Sequence, residues 1–176
     1  IDNIGEIRLV ECNFSQLSSR YEAFKNGILA PVFDKSKGGG VLGDLNIYNI
    51  HFVVGLFGKP GKVHYAPNIV NDVDTSGILL LEYDNFKVVC IAAKDTFNNS
   101  YVNIQGDQGI IKVIGPTNEV PNYSIQTKDN FIDENKNMII KSLLYIKKSI
   151  CKINYNLSLL HINHMTRQLQ DTETNL

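Results

Sequence analysis

The sequence is short of most features that would assign a function from composition. It carries no surplus of charge: 17 lysines and arginines face 18 aspartates and glutamates, a formal net charge of −1. That balance offers no electrostatic reason to expect a nucleic acid or an acidic membrane as partner. Long apolar runs are missing too. The longest, 77–82 and 88–93, fall far below the about 20 residues a membrane-crossing helix needs. The opening residues Ile1-Asp2-Asn3-Ile4 have neither the basic start nor the apolar stretch of a secretory leader. Cysteine is scarce: Cys12, Cys90 and Cys151 are odd in number and far apart. That pattern favours reduced thiols in a cytoplasmic protein over a disulfide framework. The N-x-S/T triplets at Asn13, Asn98 and Asn156 are then expected to be coincidental. No G-x-G-x-x-G follows a strand and no P-loop occurs, so these residues alone assemble no nucleotide site. His161 and His164 stand at i and i+3 without a third ligand nearby, and no metal is expected.

What is present suits one globular domain. A chain of 176 residues with 43% hydrophobic and 20% charged residues buries about 70% of its unfolded surface. The stretch 7–14 alternates and reads as a strand; 18–24 reads as a short capped helix, and 31–37 as a loop. A helix is predicted from about 40 to 57, stopped by Gly58-Lys59-Pro60-Gly61. Five β-type runs follow at 62–70, 75–83, 87–93, 100–105 and 109–114. Turn signals at Asn71-Asp72, Asp84-Asn85, Asn98-Asn99 and Gly106-Asp107 separate them. Asp84-Asn85 between two strong strands is a hairpin signal. Residues 121–127 suggest a further short strand. Helical patterns return from 134 and again over about 157–170. Strands grouped in the middle and helices at the flanks indicate an α+β layer rather than alternating βαβ units. The chain shows no internal repeat, low-complexity tract or interdomain linker.

The segment with chemical content is Gly38-Gly39-Gly40-Val41-Leu42-Gly43-Asp44-Leu45-Asn46-Ile47-Tyr48-Asn49-Ile50-His51. Glycines open a helix on which Asp44, Tyr48 and His51 recur one turn apart, on one stripe. A carboxylate, a phenol and an imidazole on an otherwise apolar helix are costly to bury unless something uses them. Gly38, Gly39 and Gly40 lack β-carbons and admit a close approach by substrate or another backbone. Asn46 and Asn49 flank the stripe. His51 is equally well explained as a hydrogen-bonded core histidine. Arg20 and Tyr21 follow the first strand. A guanidinium there would grip a carboxylate or hydroxyl pair, or form a surface ion pair with Glu22 or Asp34.

In this segment the chain resembles the C-terminal domain of the Gfo/Idh/MocA oxidoreductases, whose GGG-x-L-x-D-x-x-x-[HY] pattern stands here as 38–48. Gly58-Lys59-Pro60 resembles the family's G-x-P. The stretch 79–92, with Asp84-Asn85, resembles paired strands of its large sheet, and 102–111 (VNIQGDQGII) resembles its I-x-G-x-x-G hairpin. Many members have histidine at the position of Tyr48; tyrosine there resembles the glucose–fructose oxidoreductase and dihydrodiol dehydrogenase branch. The final residues DTETNL do not match the family's basic, Gly-containing tail.

The resemblance implies an open, mostly antiparallel mixed β-sheet with helices on one face, like the C-terminal domain of glyceraldehyde-3-phosphate dehydrogenase. It implies that residues 1–176 are the substrate-binding and oligomerisation domain of a two-domain oxidoreductase whose Rossmann domain is absent here. NAD or NADP would be bound mainly by that other domain and not tightly by this chain, which would be inactive alone. The substrate would be a sugar, polyol or related hydroxy compound, and a dimer or larger homo-oligomer would form through the sheet face. Tyr48 takes the acid/base position, activated by a lysine of the missing domain. Asp44 orients that lysine or binds a sugar hydroxyl, while His51, Arg20, Tyr21, Gly38, Gly39, Gly40 and Asn46 bind substrate. The rival from another class is a non-catalytic α+β module for assembly or ligand sensing.

Overall fold

The structure, a computed structural model, describes residues 4–128 together with 131–132. The helices predicted beyond 134, Cys151, His161 and His164 lie outside the described residues. Strand β1 (Ile7–Ser15) leads to a short helix α1 (Tyr21–Lys25) and two single 3-10 turns at Pro31–Phe33 and Lys35–Lys37. A wide π-helical turn over Leu42–Asn46 then runs straight into helix α2 (Ile47–Phe57). Seven strands follow: β2 (Lys62–Val70), β3 (Val73–Glu82), β4 (Lys87–Ala93), β5 (Tyr101–Gly106), β6 (Gly109–Ile114), β7 (Asn122–Thr127) and β8 (Phe131–Ile132). The predicted elements within this span are present, and the loop expected at 31–37 is wound into the 3-10 turns.

The strands form one mixed sheet in the order β2-β3-β4-β1-β5-β6-β7-β8. Every neighbouring pair is antiparallel except β1 and β4, which run parallel from Leu9↔Lys87 to Ser15↔Ala93. A parallel pair cannot be closed by a tight turn and needs a long crossover. Here the crossover is the whole segment from α1 through the β2–β3 hairpin. At that hairpin's tip Asn71 and Asp72 take left-handed φ values of 48° and 62°, which Asn and Asp tolerate better than other side chains.

Alternation decides the faces. Val10 and Cys12 in β1, Leu79 and Leu81 in β3, Val88 and Cys90 in β4, and Val102 and Ile104 in β5 point to the side covered by α2, where Ile50, Phe52 and Val53 meet them. Cys12 and Cys90 are register partners, both buried and free. The Cys90 thiol beside it and burial together hold the Cys12 thiol well above its ordinary range, which opposes thiolate formation and reactivity. The stretch Lys35–Phe57 is long and apolar enough by composition to cross a membrane. In this fold it is broken into 3-10, π and α segments and contributes Ile50, Phe52 and Val53 to the core.

Two asparagines fasten the helix to the sheet. Asn46 Nδ2 donates to the Cys90 carbonyl at 3.3 Å, and Asn49 Nδ2 donates to Asn46 Oδ1 and to the Ile91 carbonyl, each at 3.0 Å. Thr117 Oγ1 donates to Asn49 Oδ1 at 2.9 Å. Both asparagines are completely buried, so these bonds replace water that cannot reach them. Asn49→Ala strands the Thr117 hydroxyl and the Asn46 carbonyl oxygen. We expect it to cost about 1–3 kcal/mol in urea unfolding; a change below about 0.5 kcal/mol would refute the role of fastener.

Candidate active site

The glycines before the helix are packed against their own chain. Gly39 N–H donates to the Asp34 carbonyl at 2.8 Å, and Gly40 N–H to the Val32 carbonyl at 3.1 Å. A β-carbon on Gly39 would strike the Asp34 backbone and the Pro31 carbonyl. Gly40 has φ +110°, and a β-carbon there would collide with the Asp74 carboxylate. That carboxylate caps the helix: Asp74 Oδ2 accepts from Leu42 N–H and from the Tyr65 hydroxyl, each at 2.8 Å. Burial and, secondarily, the Asp74 charge hold the Tyr65 phenol well above its ordinary range, so it stays a donor. The close approach expected of Gly39 and Gly40 is therefore made by Asp34, Pro31 and Asp74. Gly38 alone has open space at its β-position.

Asp44 sits within the π turn, a widening often associated with functional positions. Its Oδ2 lies 2.6 Å from Lys94 Nζ, while its side chain remains 42% exposed. Lys94 follows the last residue of β4 and is only 2% exposed. Its Nζ also donates to the Val32 carbonyl at 2.6 Å and lies 5.2 Å above the Phe33 ring. A buried ammonium requires such partners. One turn beyond Asp44, Tyr48 is 41% exposed, with its ring 5.5 Å from that of Phe14. Among the described residues its hydroxyl makes no hydrogen bond. His51, a further turn along, is half-buried, and its Nε2 has no hydrogen-bond partner among the described residues. Burial lowers its pKa and favours the neutral imidazole.

The remaining predicted residues divide. Tyr21 packs 6.2 Å from Phe33, and Phe24 stacks on Phe33 at 4.3 Å, so α1 reaches the ring that lies under Lys94. Arg20 precedes α1, exposed. Glu22 pairs with Lys25 at 2.8 Å and Asp34 with Lys37 at 3.2 Å, and the ion pair weighed as one alternative for Arg20 is not formed among the described residues. Asn46 is turned into the sheet, away from solvent. Lys94 was not singled out by sequence; a lysine between Ala93 and Asp95 reads as the polar end of a strand. Among the described residues no three His, Cys, Asp or Glu side chains converge as metal ligands would. The glycine-rich helix N-terminus, a natural seat for a phosphate, is occupied by the Asp74 carboxylate.

Two substitutions test this arrangement. Gly40→Ala forces a side chain into a left-handed backbone and onto Asp74, with an expected loss of about 2–4 kcal/mol by chemical denaturation; wild-type stability would contradict the packing. For His51 the depressed pKa means the unfolded chain binds the proton more readily. Its contribution is complete above about pH 6.5 and is lost as pH falls further. The melting temperature of the wild type should therefore drop more steeply between pH 7.5 and 5.5 than that of His51→Gln; parallel slopes would contradict it.

Comparison with known proteins bears on the fold and the family. The family described as GFO/IDH/MocA C-terminal domain matches residues 2–112. The scyllo-inositol 2-dehydrogenase (NADP(+)) IolU of Bacillus subtilis is 34% identical over 116 residues, covering 64% of this chain and 35% of that protein. An uncharacterized oxidoreductase of Escherichia coli, YgjR, is 27% identical over 114 residues with the same coverage. The chain thus spans 35% of the length of these curated relatives. Levoglucosan dehydrogenase in complex with NADH and levoglucosan superposes with a TM-score of 0.60 at 20% identity, covering 75% of this chain and 38% of that one. A 3-ketoreductase from Actinomadura kijaniata gives 0.57 at 17% identity, covering 72% and 39%. At such identities the structures speak for the fold, and the sequence match speaks for descent: the chain belongs to the GFO/IDH/MocA C-terminal domain family.

Proposed function

We propose that this chain is the substrate and oligomerisation domain of an NAD(P)-dependent oxidoreductase acting on an inositol, a sugar or a related polyol, and that it does not turn over alone. The observation that carries this is the pair Asp44 and Tyr48, one helical turn apart and both about two-fifths exposed. The helix bearing them packs where β1 and β4 end side by side. Tyr48 gives or takes the proton of the reacting hydroxyl, and Asp44 accepts a hydrogen bond from a neighbouring one. Binding of the dinucleotide falls to a separate domain, since Asp74 fills the only glycine-rich helix terminus among the described residues. The likeness to an NADP-linked scyllo-inositol dehydrogenase supports an inositol-like substrate.

The test is turnover of scyllo-inositol with NAD or NADP by this chain joined to a dinucleotide-binding domain, using whatever coding sequence precedes it. Tyr48→Phe should lower kcat about 100-fold or more with an unchanged melting temperature. Unaltered turnover would remove Tyr48 from the chemistry, and turnover by this chain without nicotinamide would overturn the whole assignment.

For assembly, the support is the sheet face opposite α2. By alternation it presents Leu9, Ile78, Leu80, Val89 and Ile91, Ile78 being 50% exposed. The apolar patch lies beside Glu11, Asn103 and Gln105, which share the face and are joined by hydrogen bonds, and an exposed apolar patch rimmed by polar groups is of the kind that marks an interface. We expect the chain to sediment as a dimer or larger species and Ile78→Lys to shift it toward monomer; a wild-type monomer at high concentration would exclude this face as the interface.

A further inference from the structure

We propose that Lys94 is the positioning residue of this site: it holds the Asp44 carboxylate by one oxygen, leaves the other directed to solvent as a hydrogen-bond acceptor, and sets the site's preference for neutral polyols. This rests on the reading of Asp44 as a hydroxyl acceptor.

The main chain at Lys94 is held from both sides. Its N–H donates to the Thr75 carbonyl at 2.7 Å, and its own carbonyl accepts from Ser18 N–H at 2.8 Å. The side chain therefore leaves from a fixed point, at the end of the one strand that lies parallel to β1. It runs past Phe33 and ends on two oxygens, Val32 O and Asp44 Oδ2, each 2.6 Å away. Its burial at 2% exposure means water screens the attraction less than at a surface pair, the screening coming from the side of Asp44, 42% exposed.

Asp44 is restrained by nothing else. Among the described residues its Oδ1 accepts no hydrogen bond, and an aspartate on the exposed side of a helix ordinarily samples several rotamers. A pin serving only to tie the 3-10 turn at Pro31–Phe33 to the helix would be expected to hide both partners. Here the cation is hidden and the carboxylate is left half open, which is the arrangement that pre-orders an acceptor for a ligand. Charge adds a second consequence. The pair is neutral as a unit, so Asp44 accepts hydrogen bonds from hydroxyls without drawing in an amine. Without Lys94 the same carboxylate would be a free anion and would favour an ammonium group.

The experiment is a titration of the full chain with scyllo-inositol and with its monoamino analogue, followed by NMR, in wild type, Lys94→Met, Lys94→Arg and Asp44→Asn. We expect wild type to bind the polyol and Lys94→Met to lose affinity for it about tenfold while turning its preference toward the amine. Lys94→Arg should stay within a few-fold of wild type. A folded Lys94→Met with both affinities unchanged overturns the positioning role and leaves Asp44 as acceptor. If Asp44→Asn binds like wild type, or wild type binds no polyol, the reading of Asp44 fails and this inference with it. Should Lys94→Met not fold, the ammonium resonance of Lys94 in the wild type decides: it must move on saturation with polyol, and an unmoved signal overturns the role.

Discussion

The parallel pairing of β1 with β4 is the constraint on which the rest of this structure depends. In a sheet otherwise built from antiparallel neighbours, this one pair obliges the intervening chain to leave the sheet, cross one face and return. The chain between uses that crossover for α1, the 3-10 turns, the glycines and α2. It also places two strand ends together, Ser15 beside Ala93. Beyond them the backbone pairing continues, with Gln16 N–H on the Ala93 carbonyl and Ser18 N–H on the Lys94 carbonyl, both at 2.8 Å. The start of the helix is packed against this junction, with Asp44 on Lys94 and Tyr48 beside Phe14.

The second organising feature is the way polar groups are satisfied between helix and sheet. A helix that carries Asp44, Asn46, Asn49 and Tyr48 packs on an apolar sheet at a cost that falls as each buried group finds a partner. The asparagines use carbonyls of β4 and a threonine side chain; the helix N-terminus uses Asp74; Asp44 uses Lys94. These contacts fix the rotation of α2 about its axis more sharply than leucine or valine would, since hydrogen bonds are directional and dispersion contacts are not. Left without a partner among the described residues are the Asp44 Oδ1 and the Tyr48 hydroxyl, on side chains about two-fifths exposed, and the buried His51 Nε2. The groups of Asp44 and Tyr48 open to solvent are thus what the packing leaves over, and the His51 Nε2 is the one buried side-chain polar atom among the described residues that it does not satisfy.

The glycines illustrate how one sequence feature admits two physical causes. Three glycines before a helix satisfy a ligand that must come close and equally a neighbouring side chain that must come close. In this fold Asp74, thirty-four residues after Gly40 in the chain, is that neighbour. The consequence is electrostatic as well as steric, because an anion already seated at a helix terminus opposes a phosphate there.

By itself the sequence determined the local elements. Period-two alternation marks the strands, Asn71-Asp72 and Asp84-Asn85 mark the turns, and Gly58 ends α2; each depends on residues within a few positions of one another. It also marked Asp44 and Tyr48 as polar positions on an apolar helix, because their spacing is local. The order of the strands, the parallel β1–β4 pair, the inward turn of Asn46 and the partnership of Lys94 with Asp44 were decided only by the tertiary structure. Those depend on contacts between residues more than forty positions apart, and no local pattern encodes which distant group will arrive. Lys94 shows the reason most plainly: at the end of a strand a lysine has the composition of a surface residue, and only the crossing of the chain over β1 and β4 places an aspartate above it and a phenylalanine ring beside it.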